Sequence, residues 1–390
     1  MRARTWMAAM CMATTPGCGG DPSATDTGGS SVATTSAAST DATVSPTSSS
    51  TAAVEPTSAS TAGTSDTSST SGSSAATGSD TGDTSTGDAS TGDSSTGDSS
   101  TGAVDPGPMV DVSEPQLHEF AFKPDEVDPA ATLALGTELA ELDTTVAPLG
   151  RLVVYLHGAG KPPTCGSQAH GRVLASMGFH VLHPCYVSDY GVAKCDDDIG
   201  GCRLEAFEGV DHHPFIAITP PDSIETRVVR ALEHLQAVHP GGDWQYYLDA
   251  GKPRWAKIVI SGISHGASTS GVIGMVREVD RAVMLSGPLD SGQAWLKGAP
   301  LTAIDRFFGF THTLDPQHPG HLQSFTDMAL PGEPFVIDAA AAPYGGSHRL
   351  VSAAPTGDGH GSTQAGGASP KDNDDAYLFL PVWRTMYGAP

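Results

Sequence analysis

From residue 150 onward, short runs of consecutive apolar residues alternate with longer segments whose apolar positions recur every three to four residues. The short runs show no alternation of apolar and polar positions, which is typical of strands buried on both faces of a parallel sheet. The first run ends at His157-Gly158. The predicted strands are 152–156, 179–182, 257–261, 282–285, 305–310 and 349–353.

The segments between these strands carry helical periodicity. The clearest one begins after Asp222, a helix-capping residue type, and ends at Pro240-Gly241. Residues 116–146 indicate two or three extended segments at an antiparallel edge. The alternation predicts one α/β domain with a mostly parallel central sheet and helices on both faces. The predicted helices are 168–177, 223–239, 265–276 and 375–387.

Residues 19–107 lack any such pattern. They consist almost entirely of Ser, Thr, Gly, Ala and Asp, with no aromatic residue and no Lys or Arg. Residues 81–102 repeat Thr-Gly-Asp in a period of five. Such a chain buries too little apolar area to offset its backbone entropy, so we expect a disordered, solvated spacer. The expected organisation is therefore a signal over 1–18, a linker over 19–107 and a folded domain over 108–390.

The first residues are typical of an export signal. Arg2 and Arg4 precede a short apolar stretch over 6–13. The segment that follows resembles a bacterial lipoprotein signal, in which Cys18 would become the lipidated first residue. It departs from that family at Thr15, where an aliphatic residue is usual. The alternatives are a secretory signal without a lipid, or a start codon placed too far downstream. All of them predict a cell-envelope lipoprotein or a secreted protein.

The net charge of the chain argues against some classes of binding partner. The formal net charge is −24, and residues 108–390 hold 33 acidic against 18 basic residues. This balance argues against a nucleic-acid-binding protein, which needs to neutralise phosphates. The sequence contains no run of about 20 apolar residues, so we expect contact with a membrane only through a lipid at Cys18. A monomer is favoured, although nothing in the sequence sets the oligomeric state.

The candidate nucleophile is Ser264, in Gly262-Ile263-Ser264-His265-Gly266. This G-x-S-x-G pattern lies between a predicted strand and a predicted helix. A nucleophile on so tight a turn needs small neighbours because the backbone approaches closely. In a chain with 46 glycines a bare match would be weak, and the strand-turn-helix context gives it weight.

A nucleophilic serine requires a base, and the base requires an orienting acid. His360 lies in a Gly-rich loop after the last strand and is the predicted base, with three histidines in one earlier loop as rivals. Asp315, just past a strand end, is the predicted acid, and Asp290 is the alternative. Asp358 is expected to cap the loop of His360. The three rival histidines are His312, His318 and His321.

The oxyanion of the reaction requires two preorganised N–H donors. We expect one from the backbone of His265, directly after the nucleophile. The other is expected from the loop after the first parallel strand, with Ala159 favoured and Gly160 second. The side chain of His157 is expected to be a buried hydrogen-bonder rather than a catalyst. No cofactor is expected.

Together, His157-Gly158, the turn around Ser264, Asp315 and His360 follow the order found in the α/β-hydrolase superfamily, which residues 116–388 resemble. Residues 244–255 look like a secreted bacterial subgroup of esterases, lipases and cutinase-like enzymes. The resemblance implies an α/β-hydrolase fold and serine-hydrolase chemistry through an acyl-enzyme. It does not supply a substrate.

The four cysteines of the folded region form an even set, which in an exported protein predicts disulfides. Cys195–Cys202 and Cys165–Cys185 are the favoured pairs among three possible pairings. A zinc site is the alternative, but no C-x-x-C spacing supports it. Asp196-Asp197-Asp198 lacks the pattern of a calcium loop, and His212-His213 is an unsupported metal candidate. We therefore expect no metal.

The function predicted first is an exported serine esterase acting on small-molecule or polymer esters. The connection 287–303 is short where relatives of the superfamily insert a cap, which favours an open site. The insertion over 186–221 is acidic and Gly-rich, which does not indicate a lipase lid, and the insertion over 331–347 is expected to shape the rim of the site. The alternatives are a non-catalytic surface binding protein on the same scaffold, and a peptidase, thioesterase or acyltransferase with the same triad.

Overall fold

The computed structural model describes residues 105–195 and 198–390. The predicted signal with Cys18, nearly all of the linker, and Asp196 with Asp197 lie outside the described residues. Asp105 already contacts the folded region, because its carboxylate pairs with Arg254 at 2.9 Å and with Lys257 at 3.0 Å. Both partners lower the pKa of Asp105, Lys257 most strongly.

The described residues include eleven strands and eight α-helices. The strands are β1 Leu117–Phe122, β2 Glu138–Asp143, β3 Leu152–Leu156, β4 His180–His183, β5 Leu248–Asp249, β6 Lys252–Pro253, β7 Ile258–Ile263, β8 Arg281–Leu285, β9 Phe307–His312, β10 Phe335–Val336 and β11 Arg349–Ser352. The helices are α1 Pro124–Val127, α2 Gln168–Ala175, α3 Val192–Cys195, α4 Ile199–Glu208, α5 Ile224–Val238, α6 His265–Val276, α7 His318–Asp327 and α8 Leu380–Tyr387.

Nine of the strands form one sheet in the order β1-β2-β4-β3-β7-β8-β9-β11-β10. The strand β2 pairs antiparallel with both β1 and β4, and every other pairing is parallel. The antiparallel edge lies within 116–146, where the sequence predicts it. The predicted α/β-hydrolase fold is confirmed. Its parallel strands bring the loops after β3, β4, β7, β8, β9 and β11 to one edge of the sheet.

Two apolar cores cover the two faces of this sheet. Alternate residues of a strand point to opposite faces, so Val154 and Ile260 lie in one core while Val153 and Val259 lie in the other. Helices α4, α5, α6 and α7 pack in the first core, and α2 and α8 pack in the second. Continuous burial on both faces explains why the strands read as unbroken apolar runs.

Several predicted boundaries and loops are corrected by the structure. The last helix begins at Leu380 and not at 375, since Pro381 occupies its first turn, a position suited to proline. The loop predicted around His318 and His321 is helix α7, whose His-Pro-Gly start gives little helical signal. Helix α4 was also missed, because glycines interrupt its first turn and it is buried on most sides. None of the described helices has the length and apolar character needed to cross a membrane.

Candidate active site

Ser264 lies at the sharp turn between β7 and α6. Its backbone adopts φ 58° and ψ −118°, a conformation that residues other than glycine rarely adopt. The backbone N–H of Ser264 donates to the carbonyl of Leu285 at the end of the neighbouring strand, at 2.9 Å. Strained residues of this kind persist only where the surrounding structure holds them, and they cluster at functional sites.

The glycines on either side of this turn leave no room for a side chain. A Cβ added at Gly262 would lie 2.6 Å from the carbonyl oxygen of Leu156, and one at Gly266 would lie 2.1 Å from it. Both distances are far below van der Waals contact. The end of β3 therefore crosses close to the Ser264 turn, which is the physical reason for the G-x-S-x-G spacing.

His360 and Asp315 form a hydrogen-bonded pair. The Nδ1 of His360 donates to Oδ2 of Asp315 at 2.7 Å, and the Asp315 side chain is only 1% exposed while that of His360 is 32% exposed. The second oxygen of the carboxylate accepts the backbone N–H of Gln317 at 2.9 Å. The carboxylate thus fixes the tautomer of the imidazole and leaves Nε2 free to exchange a proton.

The loop of His360 lies beside the end of β8, next to Ser264. The hydroxyl of Ser286 donates to the carbonyl of His360 at 2.7 Å, and Ser286 follows directly after Leu285, the partner of the Ser264 amide. Within the described residues, the His360 ring is hydrogen-bonded to Asp315 and not to the Ser264 hydroxyl. Catalytic hydrogen bonds are often long in a free enzyme and tighten when substrate binds.

The three rival histidines have structural partners. His312 is buried between the carbonyl of Ala354, at 2.8 Å, and the amide of Leu314, at 3.0 Å. Both His318 and His321 contact the hydroxyl of Thr311, at 3.2 and 2.9 Å. Burial lowers the pKa of His321 to about 4, so it is neutral beside Asp315, 3.8 Å away. None of the three replaces His360 on the carboxylate.

Asp290, the alternative acid, is engaged elsewhere. Both of its oxygens bind the guanidinium of Arg203, at 2.7 and 2.9 Å, and both side chains are 3% exposed. The indole of Trp295 donates to the same carboxylate at 3.0 Å. Asp358 accepts the amide of Gly361 at 3.0 Å, which is a loop cap. The geometry at the sheet edge therefore favours Asp315 as the orienting acid.

The candidate oxyanion donors differ in whether their backbone N–H groups already donate a hydrogen bond within the protein. The amide of His265 opens helix α6 and has no acceptor within the helix. The amide of Gly160 already donates to the carbonyl of Ser188 at 3.1 Å, which argues against Gly160 as the second donor. Ala159 remains the candidate. Its loop lies against the nucleophile, because a Cβ added at Gly158 would be 3.5 Å from the Cβ of Ser264.

Tyr186 and Ser188, which follow β4, form hydrogen bonds to the loop after β3 that carries Ala159. The sequence pattern did not identify either residue. The hydroxyl of Ser188 lies 2.9 Å from the carbonyl oxygen of Gly160 and 3.1 Å from that of Gly158. The hydroxyl of Tyr186 donates to the carbonyl of His157 at 2.8 Å and contacts Nδ1 of His265 at 3.1 Å. The one available signal was their position just beyond the carboxyl end of a parallel strand.

His157 is a buried and neutral neighbour of this loop. Its Nδ1 lies 2.7 Å from the carbonyl oxygen of Gly158. Burial is the main cause that lowers the pKa of His157 to about 4. Both observations fit the structural hydrogen-bonding role expected for this side chain.

Two clefts border the loop after β3. The smaller one, of about 210 Å³, has a lining that includes Gly158, Ala159, Ile263 and Gln364. The larger one, of about 870 Å³, is lined by the insertion over 186–221 and by residues before β2. His157 borders both clefts.

The cysteines and the candidate metal ligands are accounted for within the described residues. The structure contains the disulfides Cys165–Cys185 and Cys195–Cys202. His213 lies beside the second of these, but disulfide sulfurs are not thiolates and do not ligate a metal as thiolates do. Asp198 caps helix α4 and His212 pairs with Glu208 at 2.8 Å, so neither is arranged as a metal ligand.

The chain matches no protein-family model and no curated protein. Among solved structures, it is similar to S-formylglutathione hydrolase from Staphylococcus aureus, at 12% identity and a TM-score of 0.32 over 56% of this chain and 89% of that one. It is also similar to esterase 2 from Thermogutta terrifontis, in a structure phosphorylated by paraoxon, at 15% identity and a TM-score of 0.33 over 70% and 91%. The acylaminoacyl peptidase from Pyrococcus horikoshii is similar at 13% identity and 0.30, over 61% of this chain and 36% of that one. At these values the likeness carries no argument about the reaction.

Proposed function

We propose that this chain is an exported serine hydrolase that cleaves carboxylic esters, with Ser264 as nucleophile, His360 as base and Asp315 as orienting acid. The observation that carries the proposal is the 2.7 Å hydrogen bond between Nδ1 of His360 and Asp315. It lies at the same sheet edge as the strained turn of Ser264. A nucleophile, a base and an acid in this relation are what acyl transfer requires.

In this mechanism the Ser264 oxygen attacks the ester carbonyl carbon while Nε2 of His360 takes the hydroxyl proton. The negative oxygen that develops accepts hydrogen bonds from the amides of His265 and Ala159, and the N-terminus of α6 adds a favourable dipole. The intermediate collapses, and His360 protonates the departing alcohol. A water that gives its proton to His360 then attacks the acyl-enzyme, which releases the acid and restores Ser264.

The alternative functions differ from this one in what they need from the structure. Ligand binding alone does not require a serine held at φ 58°, and this strained conformation destabilises the fold. The same triad serves a peptidase or an acyltransferase, so the geometry does not separate ester from amide chemistry. Two disulfides support a location outside the cytoplasm. A lipid at Cys18 would be the membrane contact, and a monomer is favoured.

The proposal is tested by the turnover of 4-nitrophenyl butyrate and of the matching 4-nitroanilide. We expect the protein to cleave the ester much faster than the anilide. Ser264→Ala and His360→Ala are expected to lose at least about 10³-fold in kcat/KM. The control is Ser270→Ala, on the same helix α6, because the hydroxyl of Ser270 is buried without a partner among the described residues.

Ser270→Ala is expected to keep the activity of the unaltered protein within about twofold. A folded protein that cleaves neither compound would contradict the proposal, as would equal rates for Ser264→Ala and Ser270→Ala. A faster rate on the anilide would move the assignment from esterase to peptidase.

A further inference from the structure

The cleft of about 870 Å³ is large enough for a drug-sized organic molecule, and none of the proposed reaction steps uses it. Its walls come from residues 132–137 before β2, from 160–163 after β3, and from 186–190 and 215–218 of the insertion. It shares Gly160 and His157 with the loop that carries Ala159. The cleft therefore adjoins the place where the carbonyl of a substrate would be held.

The apolar body of this cleft is somewhat larger than its polar part. Leu133 and Leu135 line it and are each 39% exposed, and Phe215 lines it and is 61% exposed. Further apolar lining residues include Ile216, Ile218, Val187 and two prolines. Large apolar side chains that stay exposed together in a concave surface mark a site for an apolar ligand.

The charge of the cleft is opposite to that of the chain. Its lining holds three lysines, Lys123, Lys161 and Lys194, and a single acidic residue, Asp189. The net charge of the lining is therefore positive in a chain whose formal net charge is −24. His157 adds no charge at neutral pH, because its pKa is lowered to about 4.

The one carboxylate does not neutralise all three lysines. Asp189 pairs with Lys161 at 2.9 Å, and the ammonium of Lys194 donates to the backbone carbonyl of Asp189 at 3.0 Å. Beside Lys123, the backbone N–H of that residue donates to the carboxylate of Glu126 at 3.2 Å, and Glu126 does not line the cleft. The lining of the cleft therefore holds three ammonium groups and one carboxylate.

We propose that this cleft binds one arm of the substrate ester, an apolar arm that ends in a carboxylate or a similar anion. The proposal rests on the function proposed above and specifies its substrate class. The apolar body holds the arm through buried area, and the lysines attract its charged end. An acidic surface elsewhere repels the same anion, so the cleft is the favourable place for it.

The test compares esters of equal shape that differ in one charge. In the first pair the charge is on the leaving group, with 4-acetoxybenzoate against 4-acetoxybenzamide. In the second pair it is on the acyl chain, with the mono-4-nitrophenyl ester of octanedioic acid against its terminal amide. We expect kcat/KM to favour the anion at least about fourfold in one pair, since each exposed ion pair contributes about twofold to fivefold.

The double variant Lys123→Gln/Lys194→Gln is expected to reduce this preference to about one. The control is Lys297→Gln, a lysine with a 62% exposed side chain that does not line the cleft, and it is expected to keep the preference. Salt at 0.5 M is expected to weaken the preference of the unaltered protein, because it screens exposed charges.

Titration calorimetry of Ser264→Ala with 4-acetoxybenzoate and 4-acetoxybenzamide measures the same contrast without turnover. Cleavage of 4-nitrophenyl butyrate together with no charge preference in either pair would overturn the cleft proposal and leave the esterase proposal standing. Preferential binding of the anion by Ser264→Ala, lost on substitution of the two lysines, would support the cleft even for a protein that cleaved no ester.

Discussion

Two buried aspartates lie near the carboxyl ends of the central strands, and their partners separate their roles. Asp315 holds the ring of His360 at 2.7 Å, whereas Asp290 binds the buried guanidinium of Arg203 with both oxygens. A carboxylate that neutralises a buried cation contributes to the fold, and one that orients an imidazole contributes to the chemistry. The two aspartates, which follow neighbouring strands, therefore have different kinds of partner.

Because the partners of Asp315 and Asp290 differ, replacing each aspartate by asparagine is expected to affect activity at one position and stability at the other. Asp315→Asn is expected to lower kcat by about 10³- to 10⁴-fold with little change in stability, because the amide no longer holds the required tautomer of His360. Asp290→Asn is expected to lower the free energy of unfolding by about 3–5 kcal/mol, because it leaves Arg203 buried without a counter-charge. Ester turnover and urea denaturation of both variants check this. A loss of turnover in Asp290→Asn together with a loss of stability in Asp315→Asn would assign the orienting role to Asp290.

At the residue scale, the sequence predicts those candidate site residues that follow the end of a strand in the order nucleophile, acid, base. Ser264, Asp315 and His360 were found in this way, and their roles remain proposals. Gly160 was the runner-up to Ala159 for the second oxyanion donor, and no sequence pattern reveals that its amide donates to the carbonyl of Ser188. Tyr186 was missed for the same reason, since contacts between distant segments leave no local signal.

At the scale of elements, the turn between β7 and α6 shows how closely the backbone must approach for the site to form. We expect Gly266→Ala to destabilise the fold by at least about 3 kcal/mol, because its Cβ would lie 2.1 Å from the carbonyl oxygen of Leu156. Gly367→Ala is the control, since a Cβ at Gly367 meets no atom within 4 Å. Thermal unfolding of the two variants measures the difference, and equal melting temperatures would contradict it.

Elements with strong periodicity were predicted well, and elements without it were not. The parallel strands and helix α5 follow the sequence pattern closely because burial on both faces, or on one helical face, sets their composition. Helix α4 carries Arg203 and Glu205 on its buried side, which removes the amphipathic signal. Its disulfide Cys195–Cys202 fits the predicted pairing, since the short loop leaves the two cysteines near each other.

At the scale of the whole molecule, buried titratable groups set the response to acid. Four buried histidines have pKa values lowered to about 3 or 4 by burial, below the ordinary 6.5. The unfolded chain therefore binds more protons than the folded one between pH 6.5 and about 4, and stability falls over that range as the pH falls. These histidines are His157, His170, His180 and His321.

Glu138 acts in the opposite direction. Burial raises its pKa to about 7, so the folded state holds that proton where the unfolded state has lost it, and its contribution to stability falls as the pH rises from 4.5 to 7. Four groups outweigh one, and we expect the free energy of unfolding to drop by at least about 2 kcal/mol between pH 7 and pH 4.5. Urea denaturation across this range measures it. A flat or rising stability on acidification would contradict the expectation, and Glu138→Gln should steepen the fall.

The net charge of the chain also bears on where the proposed anionic substrate would bind. The proposed anion site is a cleft lined by more lysines than carboxylates, in a chain whose formal net charge of −24 would repel an anion elsewhere. Sequence showed the acidic balance and the insertion that forms one wall of the cleft. It could not show that three lysines from distant segments meet there, because that depends on the tertiary fold.

The central claim is that Ser264 is an activated nucleophile, and covalent labelling tests it most directly. The protein would be treated with a fluorophosphonate probe, digested, and the modified peptide sequenced by mass spectrometry. The account predicts modification of Ser264 alone, with labelling greatly slowed in His360→Ala and retained in Ser270→Ala. Labelling of another serine, or no labelling of a folded protein that cleaves esters, would contradict the account.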